Sequence, residues 1–221
     1  MVGEIAADDP IAELDAFDVE IPSWGLWRGA SRFETYWTGD EPRSIEERIA
    51  AAGRVSDVTG AVSGVSVHFP WDGESDDDVE RLGALLDEHD LDAGSVNANF
   101  FTMREDGPLD ARLRYGSLTN PFEAIRDASL EHTRDCIRWM RALDSDTLTL
   151  WLPDGTNSFG QESFFALFDR LEETIGAIAA ELRPDEELLI EYKPFEPAFY
   201  ATALFDWGAA HAMSQRAGEN A

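Results

Sequence analysis

The sequence has one cysteine and one lysine among its 221 residues, and these shortages exclude several kinds of site. With Cys136 alone, no disulfide can form within the chain and no zinc site built from several cysteines is available. Positive charge is scarce, since 45 acidic residues against 17 basic ones give a formal net charge of −28. So negative a surface argues against nucleic acids and anionic membranes as partners.

Long hydrophobic runs are also missing, although 43% of the residues are hydrophobic. Because no membrane-length apolar run and no leader pattern are visible, we expect a cytoplasmic protein. The acidic residues are mostly spread along the chain, which is typical of a solvated surface. An acidic, lysine-poor globular protein points to a halophilic origin, where salt screens the self-repulsion. An ordinary acidic protein is the alternative.

The stretch Leu188–Tyr200 joins an apolar, strand-like start to two charged residues. Since side chains alternate along a strand, Glu191 and Lys193 are expected to share one face. An acid and a base at the carboxyl end of a parallel strand stand where α/β barrels carry out chemistry. Lys193 is the only lysine, and every other basic residue is arginine. A plain surface ion pair is the alternative interpretation.

Strand-like and helix-like segments alternate about five times, which predicts an α/β fold with a parallel sheet. Ser44, followed three residues later by Glu47, predicts a capped helix start. Phe100–Asn120 is a long connection of the kind that is usually functional. The predicted strands are Val19–Ile21, Gly64–His68, Leu91–Asn99, Thr147–Trp151 and the one beginning at Leu188, and the predicted helices are Ser44–Val58, Asp77–His89, Pro121–Leu143, Glu162–Leu182 and Ala209–Arg216.

The predicted strands share one asymmetry. One face is aliphatic, whereas the other turns polar or aromatic at the carboxyl end, at His68, Asn97, Trp151, Glu191 and Lys193. A doubly wound sheet would need both faces apolar through its middle, while a barrel mouth lined for a polar ligand explains the difference. We therefore predict an incomplete (β/α)8 TIM barrel of about five βα units, forming a single domain over residues 1–221.

Aromatic residues are concentrated in Trp24–Trp37, which is too much aromatic surface for an ordinary loop. We expect this segment to line a pocket or an interface; capping the bottom of the barrel is the alternative. Among single residues, His68 is a candidate proton shuttle or a satisfied core histidine. Trp71 and Trp151 suit the apolar face of a sugar ring. Glu191 is a candidate metal ligand or general base.

Five motifs together resemble L-rhamnose isomerase, a family of the xylose isomerase-like TIM barrels. The resemblance runs from about Trp24 to Gly208 and corresponds to the amino-terminal portion of that family. The motifs are Phe33–Gly39 (FETYWTG), Val67–Asp72 (VHFPWD), Gly116–Pro121 (GSLTNP), Trp151–Asn157 (WLPDGTN) and Glu191–Tyr200 (EYKPFEPAFY), of which the last is the most specific.

This resemblance implies an aldose–ketose sugar isomerase that uses two divalent metal ions, commonly Mn²⁺, and is usually a homo-oligomer. It implies that Glu191 is a metal ligand and that Lys193 hydrogen-bonds the sugar near its reacting carbons. It also implies that His68 acts near the ring oxygen, and that Trp71, Trp151 and Phe100 wall the pocket. Such chemistry is consistent with Lewis-acid polarisation of two neighbouring oxygens inside a dry site.

The sequence departs from the family in its metal site, because the family's remaining ligands lie on strands after the glutamate strand. Asp206, His211 and Glu219, which follow Glu191 here, offer no match. We therefore expect little or no turnover by this chain alone. The alternatives are a non-catalytic half-barrel that complements a carboxyl-terminal chain, and a Schiff-base aldolase using Lys193. The aldolase needs an uncharged amine, which the adjacent Glu191 disfavours.

Overall fold

The computed structural model describes residues 19–27, 29–30, 35–36, 39, 42, 44–100, 113, 115–156, 162–196 and 200–218. Within these ranges no helix is both long and apolar enough to cross a bilayer. The strands are β1 (Val19–Pro22), β2 (Gly29–Ala30), β3 (Thr35–Tyr36), β4 (Val62–Phe69), β5 (Asp92–Ala98), β6 (Thr147–Trp151), β7 (Gly155–Thr156), β8 (Glu187–Glu191), β9 (Phe195–Glu196) and β10 (Tyr200–Thr202), and the helices are α1 (Ile45–Thr59), α2 (Asp76–Glu88), α3 (Glu123–Ala142), α4 (Phe164–Ala179) and α5 (Trp207–Ala217).

The main sheet has five strands in the order β1-β4-β5-β6-β8, and every neighbouring pair is parallel. Each strand follows its neighbour through a helical crossover, as a right-handed βαβ succession requires. In the part of the chain that the structure describes, β1 and β8 are the two edges, so the barrel is not closed. The predicted α/β fold with an incomplete TIM barrel is confirmed.

Helix starts follow local side-chain chemistry. Ser44 accepts a hydrogen bond from the Glu47 backbone N–H, as the capping pattern predicted. Ser75 and Ser163 cap α2 and α4 in the same way. Asp206, which matched no metal ligand in the sequence, caps α5 by accepting from the Ala209 N–H. Its carboxylate therefore has a structural role.

The two faces of the sheet differ as predicted, and β6 shows it most clearly. Leu148 and Leu150 are fully buried against the helices, whereas Thr149 and Trp151 are only partly buried on the inner face. On the edge strand β8, Leu188 is buried but Leu189 is 46% exposed. The helix-facing side thus forms the core, while the inner side stays accessible.

Two predicted features differ in detail from the structure. The strand that begins the Leu188–Tyr200 stretch ends at Glu191, so Lys193 lies beyond it and strand alternation does not set its direction. The strands after it, β9 and β10, join β7 from the loop after β6 in a small antiparallel sheet of order β7-β10-β9. Most of the long connection Phe100–Asn120 lies outside the described residues.

Candidate functional site at the carboxyl ends of the strands

His68 lies between two aromatic side chains at the end of β4. Its ring stacks on Trp71, with centroids 4.0 Å apart and planes at 21°. Trp24 contacts the ring edge-on at 5.2 Å. Trp24 belongs to the turn that follows β1, so the first part of the aromatic segment lies at the mouth of the sheet rather than at its bottom. The imidazole is therefore held in one orientation.

Burial decides the charge of His68. The side chain is 8% exposed, and desolvation, with a smaller contribution from His132, lowers its pKa to about 3. His68 is therefore neutral at physiological pH. Its Nδ1 is buried and has no hydrogen-bond partner among the described residues. A buried polar nitrogen in this condition is unusual and is expected where a ligand or water completes the site.

A buried ion pair fixes the turn that carries Trp71. Asp72 accepts hydrogen bonds from Arg48 Nη1 at 2.7 Å, from the His68 N–H at 2.7 Å and from the Ser23 hydroxyl. Arg48 Nη2 also donates to the Trp71 carbonyl at 3.2 Å. Asp72, Arg48 and Ser23, here called the Asp72 cluster, thus join β1, α1 and the β4 turn. Asp72 ends the VHFPWD motif, but the sequence alone predicts no role for it.

Glu191 on β8 and Trp151 on β6 also lie at the carboxyl ends of their strands, but toward the other edge of the sheet. They are register partners, and Leu189 pairs with Thr149 one step earlier, so Glu191 lies on the inner face. Glu191 is solvent-accessible, yet burial of its protein-facing side raises its pKa, and the Lys193 ammonium opposes this rise. Lys193 Nζ lies 4.7 Å from the centre of the Trp151 ring. The structure therefore brings Glu191, Lys193 and Trp151 together.

The two groups of predicted residues lie on one face but on separate strands. His68, Asn97 and Thr149 are register partners across β4, β5 and β6, and Leu189 continues the row on β8. Three strand spacings of about 4.8 Å make roughly 14 Å along the sheet, which its curvature shortens. A ligand that meets both groups would therefore rest over Asn97 and Thr149.

Phe100 differs from the other predicted wall residues. Its side chain is 1% exposed and belongs to the hydrophobic core. The ring makes an edge contact with His132 of α3, with centroids 6.2 Å apart. Phe100 therefore offers little surface to a ligand in this structure, and its substrate contact stays a prediction.

Asp154, in the loop after β6, is a buried carboxylate that sequence reasoning missed. It accepts hydrogen bonds from the backbone N–H and the hydroxyl of both Ser117 and Thr119, at 2.7–2.9 Å. Gly116 has a φ of +105°, and a Cβ there would lie 2.6 Å from Thr119 Oγ1. Asp154, Ser117 and Thr119, here called the Asp154 cluster, explain why GSLTNP and WLPDGTN go together. The only indication of this cluster in the sequence is that both motifs contain glycine and several polar residues.

The metal site implied by the resemblance stays a prediction. Glu191 supplies one carboxylate, and no group of three or more His, Cys, Asp or Glu side chains able to hold a metal occurs among the described residues. His211 stacks on Trp207 of the same helix, with ring centroids 5.1 Å apart. The residues that the structure describes therefore do not make up a metal centre.

Solved structures define the class of fold. L-ribulose 3-epimerase superposes with a TM-score of 0.62 over 91% of this chain and 58% of that one, at 14% identity. A xylose isomerase-like TIM barrel protein from Mycobacterium smegmatis, solved in complex with magnesium, gives 0.56 over 92% and 62%, at 12% identity. At these identities the likeness establishes the fold alone, an α/β parallel sheet of the TIM-barrel type.

Sequence relatives are more specific. A probable sugar isomerase of Rhizobium meliloti (strain 1021) is 36% identical over 214 residues, which are 95% of this chain and 48% of that protein. A probable sugar isomerase of Mesorhizobium japonicum is 35% identical over 217 residues, covering 98% and 49%. No family model matches the chain. The chain is thus homologous to proteins named sugar isomerases and spans about half the length of these curated relatives.

Proposed function

We propose that this chain is the sugar-binding, amino-terminal part of an aldose–ketose isomerase of the L-rhamnose isomerase type. The observation that carries the proposal is the inner face of the sheet. There a neutral His68 stacked on Trp71, and a Lys193 ammonium beside Glu191 over Trp151, line the carboxyl ends of the strands. The relatives named sugar isomerases support the same reading.

Each residue has a role that its surroundings allow. The unpartnered Nδ1 of neutral His68 would exchange a hydrogen bond, and then a proton, with a sugar oxygen near the ring oxygen. The ammonium of Lys193 would donate to an oxygen near the reacting carbons. Trp71 and Trp151 would pack on the apolar faces of the sugar and exclude water from the site.

The metal requirement belongs to the proposal as well. In this type of isomerase the metal, which we take to be Mn²⁺, would act as a Lewis acid on the sugar oxygens, and Glu191 would be one of its ligands. The described residues would supply this one ligand and hold no group of three or more His, Cys, Asp or Glu side chains that could complete the site. The remaining ligands would come from residues outside the described part or from another chain.

A matched assay tests the proposal. The chain alone, with Mn²⁺ and aldoses including L-rhamnose in molar KCl, is expected to give little or no ketose. It is expected to bind sugar, measured as a change in tryptophan fluorescence that Trp71→Phe reduces. Trp207→Phe is the control, because Trp207 stacks on His211 of α5, outside the proposed pocket. Rapid turnover by the chain alone would refute the claim of incompleteness.

Complementation separates the catalytic proposal from the half-barrel alternative. The added polypeptide is the part of the Rhizobium meliloti relative that this chain does not match. A complex that forms on size exclusion and gains Mn²⁺-dependent isomerase activity supports the isomerase. A complex without activity on any aldose supports the non-catalytic half-barrel, and neither sugar binding nor complex formation would reject both. Size exclusion of the chain alone also reports whether it forms a homo-oligomer.

The aldolase alternative is disfavoured by the contacts of Lys193. An amine that attacks a carbonyl must be uncharged, but this amine lies over the electron-rich face of Trp151 and beside Glu191. Both neighbours interact favourably with an ammonium ion. Borohydride treatment with a ketose is expected to leave the mass of the chain unchanged, and a stable adduct on Lys193 would revive this alternative.

A further inference from the structure

We propose that Thr202 is a positioning residue for Lys193, whose backbone it holds so that the ammonium stays over Trp151. Thr202 is fully buried in β10, and its hydroxyl contacts the Lys193 carbonyl oxygen. The same hydroxyl lies 3.3 Å from the Leu204 carbonyl oxygen. That carbonyl in turn accepts the Lys193 N–H at 3.0 Å. Both backbone polar groups of Lys193 are therefore bound by a three-residue segment.

The segment that holds Lys193 is itself attached to the loop after β6. The Ala203 N–H donates to the Asp154 carbonyl at 2.7 Å. Gly155 pairs with Thr202 in the β7–β10 ladder, and a Cβ on Gly155 would lie 2.1 Å from the Ala201 carbonyl oxygen. Since Trp151 ends β6, both sides of the lysine–tryptophan contact are anchored to one loop.

A positioning residue is needed here because Lys193 lies past the end of β8 and has no strand ladder to orient it. A cation–π contact at an accessible site is weak compared with the conformational entropy lost when a lysine side chain is ordered, so a fixed backbone at Lys193 helps to keep the ammonium in place. Fixing the backbone reduces the orientations that the side chain can adopt. That the position of the Lys193 ammonium over Trp151 matters for a substrate rests on the proposed function, whereas the role of Thr202 in setting this position does not.

The single lysine allows a direct measurement. Reductive methylation with ¹³C-formaldehyde labels Lys193 and the amino terminus, and Lys193→Arg identifies the lysine signal by removing it. In the wild-type chain the dimethyl-lysine signal is expected upfield of its free position, because the group lies over an indole ring. Trp151→Leu should abolish that ring-current shift and so define the free position.

The Thr202 variants then decide the proposal. Thr202→Val, which keeps the shape and removes the hydroxyl, is expected to lose most of the upfield shift, while Thr202→Ser retains it. Thr133→Val, which removes another buried hydroxyl on α3, is the control and should leave the signal unchanged. If Thr202→Val unfolds the chain, as judged by circular dichroism, Thr202→Cys replaces it in the comparison with Thr202→Ser.

Three results would overturn the inference: an unshifted wild-type signal, an upfield shift that survives loss of the hydroxyl, or equal loss in the valine and serine variants. The measurement uses neither sugar nor metal. A failure of the proposed isomerase function would therefore leave this result intact, and a negative result here would leave the isomerase proposal to its own assay.

Discussion

The loops after β4 and β6 are each held by a buried aspartate, but the two carboxylates are satisfied in different ways. Asp72 is paired with the guanidinium of Arg48, which is itself 1% exposed. Asp154 is surrounded by neutral donors, the N–H and hydroxyl groups of Ser117 and Thr119. One loop therefore depends on a charge pair, and the other on a set of neutral hydrogen bonds.

This difference has a consequence for stability. A buried ion pair contributes little relative to apolar packing, yet removing one member leaves an uncompensated charge. A carboxylate held by neutral donors leaves only polar groups behind when it is replaced, and each of them costs less. The two loops should therefore respond differently to the same Asp→Asn substitution.

The largest effect is expected for Asp72→Asn. This substitution leaves the Arg48 guanidinium buried opposite a neutral amide, so the free energy of unfolding should fall by about 3–5 kcal/mol. Urea denaturation followed by circular dichroism measures it. The double variant Arg48→Met/Asp72→Asn, which removes both charges, should be more stable than Asp72→Asn alone. A double variant that is less stable would argue that the ion pair is not the reason for the loss.

A smaller loss is expected for Asp154→Asn. The amide turns one NH2 group toward the N–H of Ser117 or Thr119, so one donor is left unsatisfied and the free energy of unfolding should fall by about 1–3 kcal/mol. The same denaturation experiment compares the two aspartate variants directly. A loss equal to or greater than that of Asp72→Asn would show that the charged partner does not set the difference.

The dependence on pH should distinguish the His68 side of the site from the rest of the chain. Because burial lowers the pKa of His68 from its ordinary value of 6.5 to about 3, His68 binds a proton near neutral pH only when the chain unfolds. The neutral His68 therefore contributes its full stabilisation well above pH 6.5, and this contribution to the free energy of unfolding is lost as the pH falls toward about 3, by about 1.4 kcal/mol between pH 7.5 and 5.5.

Variants isolate this contribution from the many carboxylates. His68→Gln should lose less stability than the wild type over the same pH interval. His211→Gln, at an exposed position on α5, should follow the wild type and serves as the control. Parallel curves for wild type and His68→Gln would mean that folding does not change the proton affinity of His68.

The smallest effect is expected for an exposed ion pair. Arg216 and Glu172 join α5 to α4, with side chains 58% and 42% exposed. Glu172→Gln should change the free energy of unfolding by about 0–1 kcal/mol, and less in molar KCl because salt screens exposed charges. A large fall in the free energy of unfolding would show that charge pairs stabilise this protein regardless of burial. The charged partner of Asp72 would then be a weaker explanation for its difference from Asp154.

Sequence reasoning placed the main elements well because their signals are local. Ser44 and Glu47 marked the start of α1, and β6 has the predicted bounds. Alternation along β8 put Glu191 on the inner face, as its pairing with Trp151 requires. Alternation failed for Lys193, since the strand stops two residues earlier and later segments determine its position.

The sequence predicted candidate site residues but not the contacts that hold them in place. His68, Trp71, Trp151, Glu191 and Lys193 were named from the sequence, and the structure brings them to one side of the sheet. Nothing local reveals that Asp72 would meet an arginine 24 residues away, or that Asp154 would meet hydroxyls 35 and 37 residues away.

The sequence by itself determined the alternation of strands and helices, the helix starts and the polar inner face. These depend on side-chain periodicity and on capping within a few residues. Only the tertiary structure decided which buried carboxylate has a charged partner, which histidine stays neutral, and where the single lysine points. Those properties depend on burial and on contacts between segments far apart in the chain, which take effect only when the sheet has brought the loops together.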